Sequence, residues 1–585
     1  MATDRKATAQ VVVILAALSV IPYLNALTAG FTLDDMPNIR ENAAVTKGVD
    51  LTEIFATPMP LLAYLYRPFT VLSFAVNEAL APGNAPAFHA GNVLLHVGVT
   101  MLVFWLAVRL FDERVAAIAA ALFAIHPIHT EAVTSIVGRA ELLAALFGLA
   151  AVLGAGAMDA ATDQSSRRAW HGLSVLCFAL AMFSKESAVT ILPLVLLFRV
   201  ARRGEPLCAG TWKEVCSLDW VPYALCFGVF IVLRYLVVGT MGSVPIDKLS
   251  PLDNVLAFVP WSVRFRSAVG VLWDYFGLLN VPLVLSADYS YNQVPLISSW
   301  TDARFLAGLG VLATAAGVVV YVRRPAVRYA AAFPFITVLL TANLAFPIGT
   351  VKAERILYVP SVGWALLAAY GFDRVRRTPR YRLIGTAALV TAIALFGART
   401  WTRNQDWKDN RTLFESTART APNSAKARYN FGIVLRDSGA LAAAVAQYHA
   451  ALAISPWMEG AALEIGVAYD TRGRTDHAIA WYQRALAIAP AYQDAHHNLC
   501  HVLLDSDRFP AAAAACRKGL RYAPADAKML KGLGASLVAL GETEKGIEVL
   551  HRSLALDSSD HELQIYVAQL ERTPAGTSTE AVRVE

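Results

Sequence analysis

The sequence is poor in charge for its length. Charged residues make up 16% of its 585 residues and hydrophobic residues 56%, whereas a soluble protein carries about 25% charged residues. This deficit argues against an ordinary soluble protein and points to lipid as the solvent for much of the chain. The net charge of +6 is modest, and the arginines that carry it stand between apolar runs. It therefore predicts membrane-flanking charge and no binding to nucleic acid.

Several familiar sites are also missing. The chain has six cysteines, none in a CxxC or zinc-type spacing: Cys177, Cys208, Cys216, Cys226, Cys500 and Cys516. It has no glycine-rich loop that would cradle a phosphate and no nucleotide-binding fingerprint. A bound nucleotide or a cysteine-ligated metal is therefore not indicated.

Long apolar runs fill the chain up to residue 400, where the composition changes abruptly. Crossing a bilayer takes about 20 apolar residues. The runs predict about eleven spans, the shorter of them tilted or broken, near 9–28, 88–110, 115–126, 140–158, 169–184, 186–200, 221–239, 302–322, 328–347, 356–372 and 381–398. Arg5 and Lys6 precede the first run as in a signal peptide, but the many later spans favour a retained anchor.

Arginine and lysine collect in alternate loops between these spans. Besides Arg5 and Lys6, the residues on this side are Arg109, Arg114, Arg167, Arg168, Arg199, Arg202, Arg203, Arg323, Arg324, Arg328, Arg374, Arg376, Arg377, Arg380 and Arg382. Because positively charged loops stay in the cytoplasm, the N-terminus is predicted to be cytoplasmic. An odd number of spans then places the C-terminal part on the opposite side.

The C-terminal part repeats with a period of 34 residues, which is typical of tetratricopeptide (TPR) helical hairpins. The residues in register are Pro422, Pro456, Pro490 and Pro524; Ala444, Ala478 and Ala512; Gly432, Gly466 and Gly534; and Phe414, Tyr448 and Tyr482. Cys500 takes the remaining glycine position. We interpret Cys500 and Cys516 as packing residues, with a disulfide as the alternative.

The predicted protein is all-α and has three parts. Residues 1–400 form a polytopic membrane domain with a large external loop at 240–301, residues 401–572 form a TPR α-solenoid, and residues 573–585 form a flexible tail. Each TPR hairpin buries its apolar face by stacking on the next, so the repeats predict a fold and a protein-binding surface without naming the partner.

Polar residues interrupt the membrane half at the ends of spans. Such residues are costly in a bilayer and therefore mark the chemistry. On the predicted orientation, they reach the non-cytoplasmic surface from five loops: Asp34 and Asp35; His126, His129 and Glu131 with Arg139 and Glu141; Lys185 and Glu186; Asp288 within SADYSYN; and Glu354 and Arg355 with Tyr358.

Each cluster also has a structural interpretation. Asp34 and Asp35 fit an Asx turn or helix cap equally well. Lys185 with Glu186 fits a solvated charge pair, and Glu354 with Arg355 fits an ion pair that orients a helix. His126, His129 and Glu131 are of the residue types that bind metals, although capping and hydrogen bonding are commoner roles. No cofactor is certain, and a divalent metal stays open.

Several segments resemble the transmembrane-and-TPR-containing O-mannosyltransferases. They are FTLDD, YRPFTVLSFAVN (66–77), FHAGNVLLHV (88–97), HPIHTEAVTSIVGRAELLA (126–144), FSKES (183–187), SADYSYN (286–292) and FPIGTVKAERILYVPSVG (346–363). The resemblance covers nearly the whole chain and implies a GT-C membrane fold. It also implies transfer of mannose from a polyprenyl-phosphate carrier to Ser or Thr hydroxyls of a protein acceptor. The Ala- and Arg-rich composition is typical of a bacterial protein, which predicts an inner-membrane enzyme with a periplasmic TPR array.

The resemblance also implies roles for residues. In GT-C enzymes the base is an acid of the first external loop, so Asp34 and Asp35 are the catalytic candidates, with Asp35 the first choice. The leaving phosphate needs cations, for which we expect Arg355, then Lys185 and Arg139. Supporting or substrate-binding roles fall to His126, His129, Glu131, Glu141, Glu186, Asp288, Glu354 and Tyr358. The alternatives are a non-enzymatic membrane TPR scaffold and a GT-C transferase with a lipid or glycan acceptor.

Overall fold

A computed structural model describes residues 5–203, 217–241 and 244–572. The described residues form helices and contain no strand, so the all-α prediction is confirmed for them. The chain divides into two compact units, Met1–Pro422 and Asn423–Glu585. The predicted tail, 573–585, lies outside the described residues, as do Cys208 and Cys216.

The first unit is a bundle of helices joined by short helical turns. Its main helices in the described residues are α1 (Arg5–Val20), α2 (Pro68–Leu80), α3 (Ala85–Leu110), α4 (Glu113–Ala124), α5 (Arg139–Ala160), α6 (Gln164–Ser184), α7 (Ile191–Arg203), α8 (Val221–Val238), α9 (Trp261–Asn280), α10 (Ala303–Tyr321), α11 (Pro325–Val338), α12 (Ser361–Arg377), α13 (Arg382–Gln405) and α14 (Asn410–Thr420).

Fewer of these helices are long apolar spans than the sequence predicts. In the described residues six segments are long and apolar enough to cross a membrane: Lys6–Thr28, Ala85–Leu110, Ile136–Ala160, Leu218–Val238, Ala303–Tyr321 and Pro379–Gln405. A seventh results if α4 and the helical turns up to Val133, bent by 49°, form one span. The other predicted spans correspond to helices that are too short or too polar, such as α7 with 13 residues and α11 with 14. The chain is thus a multi-pass membrane protein by helix length and composition, without eleven full-length spans.

The predicted external loop at 240–301 contains a 20-residue helix, α9. Arg264, Arg266 and Asp274 interrupt its apolar pattern, which is why hydropathy does not reveal it. Its middle, residues 266–272, is buried on every side. The core around α9 includes Leu285 and Tyr289, so much of the predicted loop is packed structure.

The arginine-rich loops that the sequence assigns to one side pair with shared acids. Asp219 Oδ2 lies 3.2 Å from Arg167 Nη2 and 3.1 Å from Arg199 Nη2. Arg377 pairs with Asp112, whose neighbour Glu113 accepts a hydrogen bond of 2.8 Å from Thr8. These contacts bring together loops that are far apart in sequence.

The second unit is an array of helical hairpins in the predicted 34-residue register. Its helices are α15 (Ala425–Asp437), α16 (Leu441–Ile454), α17 (Glu459–Asp470), α18 (Thr475–Ile488), α19 (Gln493–Asp505), α20 (Phe509–Leu520), α21 (Ala527–Ala539), α22 (Thr543–Leu556) and α23 (His561–Arg572). Gly432 lies against the ring of Tyr448 and Gly466 against that of Tyr482, so closely that a Cβ would collide. Small residues therefore allow the two helices of each hairpin to pack.

The two cysteines of the third hairpin are covalently joined. Cys500 on α19 and Cys516 on α20 form a disulfide with their Cα atoms 5.2 Å apart, a separation usual for disulfides. Both side chains are buried. The sequence favoured simple packing for this pair, and the structure has the alternative.

Candidate active site

The two adjacent aspartates of the first loop have different environments. Asp35 is fully buried, and its two carboxylate oxygens accept hydrogen bonds from the backbone N–H groups of Thr32 at 2.9 Å and Val137 at 3.0 Å. Burial raises the pKa of Asp35 to about 7, although these hydrogen bonds oppose the rise. Asp34 is only partly buried, and its charge acts on Arg355. Asp35 therefore stabilises the loop, and Asp34 is the more exposed of the two carboxylates.

Arg355 is held along one edge by Glu131. The Arg355 backbone N–H donates to Glu131 Oε2 at 2.8 Å, and the guanidinium pairs with Glu131 Oε1. The Glu131 side chain is 2% exposed, whereas that of Arg355 is 39% exposed. Among the described residues the Arg355 guanidinium makes no other hydrogen bond, so its other N–H groups have no protein acceptor there.

Two more acid–base pairs lie beside Arg355. Lys185 forms a buried ion pair with Glu141. Arg67 holds Glu186 by two hydrogen bonds, Nε to Oε2 at 2.9 Å and Nη2 to Oε1 at 2.6 Å. The Glu141 charge acts on both Arg67 and Arg355. The structure thus brings predicted residues from four loops into one charged cluster.

Arg67 was not among the predicted site residues. It belongs to the YRPF segment that carries part of the resemblance, and it immediately precedes α2 at Pro68. An arginine before a proline at a helix start is unremarkable in sequence. Only its bidentate contact with Glu186, in a distant loop, identifies it.

A cleft lies against the Lys185–Glu141 pair. The rest of its lining is mainly apolar or hydroxyl-bearing and includes Ala144, Ala188, Ile191, Thr337, Thr341, Ile356 and Val359. These residues come from α5, α7 with the turn before it, α11 with the turn after it, and the segment before α12. The cleft therefore combines a charged pair with an apolar wall in a volume of about 20 Å³, which is room for about one water molecule.

Arg139 lies in a different setting from the other predicted cations. It is 3% exposed, and four of its five N–H groups are used: by Asn92 Oδ1 at 2.8 Å, Ser73 O at 3.1 Å, Asn77 Oδ1 at 3.0 Å and Phe88 O at 2.9 Å. The guanidinium also stacks on two phenylalanine rings. The structure places Arg139 in a packing and hydrogen-bonding role.

The predicted histidines are buried contacts between helices. His126 Nε2 lies 2.9 Å from Leu279 O, and His129 Nε2 lies 2.8 Å from Ser361 Oγ. The hydroxyl of Tyr358 lies 2.8 Å from His96 Nδ1. In the part of the chain that the structure describes, no group of three or more His, Cys, Asp or Glu side chains could hold a metal ion.

Glu354 anchors the SADYSYN segment. It is fully buried, and its Oε1 accepts hydrogen bonds from the Tyr289 hydroxyl at 2.7 Å and the Ser286 N–H at 2.5 Å. Burial raises the pKa of Glu354 to about 7, with Arg403 opposing the rise. Asp288 accepts a 2.7 Å hydrogen bond from the Ser290 hydroxyl within the same turn. Both acids thus stabilise the SADYSYN segment.

The fold and site define a multi-pass helical membrane protein that carries an acid–base cluster and a TPR array. Residues 243–316 match the family model described as Protein O-mannosyl-transferase TMTC, DUF1736. Residues 402–456, 460–492 and 498–561 match tetratricopeptide repeat models.

The relatives agree with these family models. The chain is 29% identical over 481 residues to Protein O-mannosyl-transferase TMTC3 of Homo sapiens, covering 76% of this chain and 52% of that protein. It is 30% identical over 461 residues to Protein O-mannosyl-transferase F38B6.6 of Caenorhabditis elegans, covering 76% and 63%. The chain spans about half the length of the first of these proteins. The resemblance predicted from the loop motifs is confirmed: the chain is similar to the TMTC protein O-mannosyl-transferases.

Among solved structures, "MamA 41-end from Desulfovibrio magneticus RS-1" is similar to the chain. The match has 20% identity and covers 25% of this chain and 83% of that one, with a TM-score of 0.24. That score is too low to carry an argument.

Proposed function

We propose that the protein is a membrane glycosyltransferase that moves a sugar, mannose, from a polyprenyl-phosphate carrier to a Ser or Thr hydroxyl of a protein acceptor recruited by the TPR array. One observation carries the proposal. The partly exposed Asp34 carboxylate and the half-open Arg355 guanidinium, from loops far apart in sequence, share one charged cluster. A base and a phosphate-binding cation are the two groups that this transfer needs.

In the proposed reaction, Asp34 takes the proton of the acceptor hydroxyl. At the same time the oxygen of that hydroxyl attacks the anomeric carbon of the sugar. The bond between that carbon and the phosphate oxygen breaks, and the electron pair leaves with the polyprenyl phosphate. Arg355 binds the phosphate oxygens through its open edge and stabilises the charge that develops on them. Glu131 keeps the guanidinium in place, since it holds both the backbone and the side chain of Arg355.

The cleft beside Lys185 supports a lipid-linked donor. Its charged pair would lie at the phosphate, and its apolar wall would face the first part of the polyprenyl chain. Arg67, which pairs with Glu186 and is influenced by the charge of Glu141, supplies a further cation.

The proposal includes a topology. The N-terminus lies in the cytoplasm of a bacterial cell, about eleven spans or partial spans cross the inner membrane, and the site and the TPR array face the periplasm. The Cys500–Cys516 disulfide supports this, because disulfides persist in the periplasm and are rare in the cytosol. Reporter fusions near 203 and 378 should report the cytoplasm, and a fusion after 422 the periplasm.

A transfer assay tests the chemistry. Purified protein is incubated with candidate polyprenyl-phosphate sugars and periplasmic extract, and modified proteins are identified by mass spectrometry. A hexose on Ser or Thr that requires both the lipid donor and Asp34 supports the proposal. Sugar found only on a lipid or a glycan would show that the acceptor is not a protein. If no lipid donor supports transfer, the non-enzymatic scaffold alternative is favoured.

A further inference from the structure

The residue before Asp34 has an unusual backbone conformation. Leu33 has a φ of +49°, in the left-handed region that residues with side chains rarely adopt. A leucine stays there only when its surroundings hold it, and such strain is common at functional sites. The direction in which Asp34 projects depends on this turn.

Asn410, which lies near the C-terminal end of the first unit, contacts this turn. The Leu33 N–H donates a hydrogen bond of 2.8 Å to Asn410 Oδ1. Next to it, the Gly30 N–H donates to Lys408 O at 2.9 Å. Further back, the Asn25 side chain donates to Trp401 O at 2.7 Å, and the Asn404 side chain donates to Pro22 O at 2.7 Å. The end of the first span and the loop that leads to Asp34 therefore both contact residues 401–410.

The turn that carries Asn410 is held in place by a helix cap and by buried side chains. Asn410 is the first residue of α14, and the cap of that helix is supplied by Asp409, which accepts from the Thr412 N–H at 2.8 Å. The Asn410 side chain is therefore not needed by its own helix. Trp407 is 1% exposed and Leu413 is fully buried, so this turn cannot easily shift.

We propose that Asn410 is a positioning residue for Asp34: its side-chain carbonyl keeps Leu33 in the left-handed conformation that aims the Asp34 carboxylate at the substrate. This inference rests on the proposed role of Asp34 as the base. It gives residues 401–410, which include the end of the last long span and the turn after it, a direct part in the geometry of the reaction.

The proposal predicts a split between kinetic constants. Asn410→Ala removes the acceptor of the Leu33 N–H, and we expect kcat to fall about tenfold, the usual effect of losing one such hydrogen bond. The KM for the lipid donor should stay unchanged, because Arg355 and Lys185 do not depend on this turn. Asn410→Asp keeps an oxygen at the same position and should retain most activity. Arg411→Ala, an exposed neighbour, is the matched control.

A second background tests the conformation itself. Glycine adopts positive φ without cost, so in Leu33→Gly the change Asn410→Ala should lower kcat by less than about threefold. This pair also keeps the test decisive if Asn410→Ala alone fails to fold. Equal losses from Asn410→Ala in both backgrounds would overturn the proposal.

Hydrogen exchange of the peptide containing residues 32–35 gives a readout that does not require activity. Exchange should accelerate in Asn410→Ala and stay slow in Asn410→Asp. If Asp34→Asn abolishes transfer while Asn410→Ala leaves both kcat and this exchange unchanged, the positioning role is wrong and the proposed function stands. If Asp34→Asn leaves transfer intact, the proposed function itself fails, and Asn410 cannot be a positioning residue for that base.

Discussion

Cys500 and Cys516 occupy, in the third hairpin, the two positions that Gly432 and Tyr448 occupy in the first. Each cysteine lies 68 residues after its counterpart, which is two periods of 34. Where the first two hairpins pack a ring against a glycine, the third has a covalent bond between the corresponding two helices. A noncovalent contact in one repeat is thus replaced by a disulfide in another.

Removing this disulfide should destabilise the array. Closing a loop of this size, with cysteines 16 residues apart, stabilises a fold by about 3 kcal/mol through the unfolded state. Cys500→Ser with Cys516→Ser should therefore lower the melting temperature of the array and speed its proteolysis. The matched control is Cys500→Gly with Cys516→Tyr, which rebuilds the contact of the first repeat and should recover part of the loss. A reductant should destabilise only the wild type. Equal melting of all variants would mean that the disulfide contributes nothing.

Asp34→Asn and Asp35→Asn should have different effects. Losing a general base typically costs about 10²–10⁴-fold in rate, so Asp34→Asn should reduce kcat by that amount at normal expression and folding. Asp35→Asn leaves one backbone N–H facing an amide NH₂, so it should lower thermal stability and affect kcat less. Transfer rates and melting temperatures of both variants check this. A folded Asp35→Asn that is the less active of the two would reverse the assignment.

Asp35 should also make stability depend on pH. Its pKa is raised by burial to about 7 in the folded protein, from about 3.9 in the unfolded chain. Between these two pKa values the folded state binds more protons than the unfolded state does, so the free energy of unfolding should fall as pH rises from about 4 to about 7. The slope from this one group is at most about 1.4 kcal/mol per pH unit. Asp35→Asn should remove that slope, which melting curves at several pH values would show. Parallel curves for both proteins would contradict it.

Arg355 and Arg139 should respond differently to substitution by lysine. Lysine cannot reproduce both the contact with Glu131 and two contacts with phosphate, so Arg355→Lys should weaken donor binding by about tenfold or more while the protein stays folded. Arg139→Lys should instead lower stability, because it leaves Asn92, Asn77 or a backbone carbonyl without a donor. Binding of a labelled polyprenyl phosphate and melting temperature separate the two effects.

The position at which the chain is truncated should determine whether the membrane unit keeps its basal activity without the TPR array. A stop after Pro422 retains the whole first unit, and we expect slow donor hydrolysis or transfer to a small hydroxyl acceptor to survive. Transfer to the native protein should fall, because the array no longer raises the local concentration of the acceptor.

A stop at 405 is the informative comparison. It removes Asn410 and the Lys408 carbonyl, both bonded to the first loop, and Asp406, which lies 2.9 Å from Arg403. Basal chemistry should then be lost too. Equal basal activity of the two truncations would exclude any role for residues 406–422, and unchanged transfer to the native acceptor after the stop at 422 would exclude recruitment by the array.

Periodicity and local motifs predicted the features that local sequence determines, namely the helical hairpins and the polar loops. The spacing of Gly432 and Gly466 predicted the hairpins, and the span ends predicted the loops that meet around Arg355. The sequence could not separate Asp34 from Asp35, because neighbouring residues share every local pattern. The two differ only in long-range contacts: Asp35 accepts a hydrogen bond from the Val137 N–H, and the charge of Asp34 acts on Arg355. Nor could it find α9, whose charged residues hide a buried helix. Arg67 and Asn410 are identified only by side-chain hydrogen bonds to residues far away in the chain, for which a single sequence carries no signal.

The double hold of Glu131 on Arg355 has an entropic consequence. A free arginine side chain loses about 1.5–2 kcal/mol of rotamer freedom when it is fixed. Because Glu131 bonds both the backbone and the guanidinium of Arg355, much of that loss is already incurred when the protein folds. A phosphate that arrives at the open edge meets a guanidinium that no longer has to be ordered, so more of the contact energy can appear as affinity.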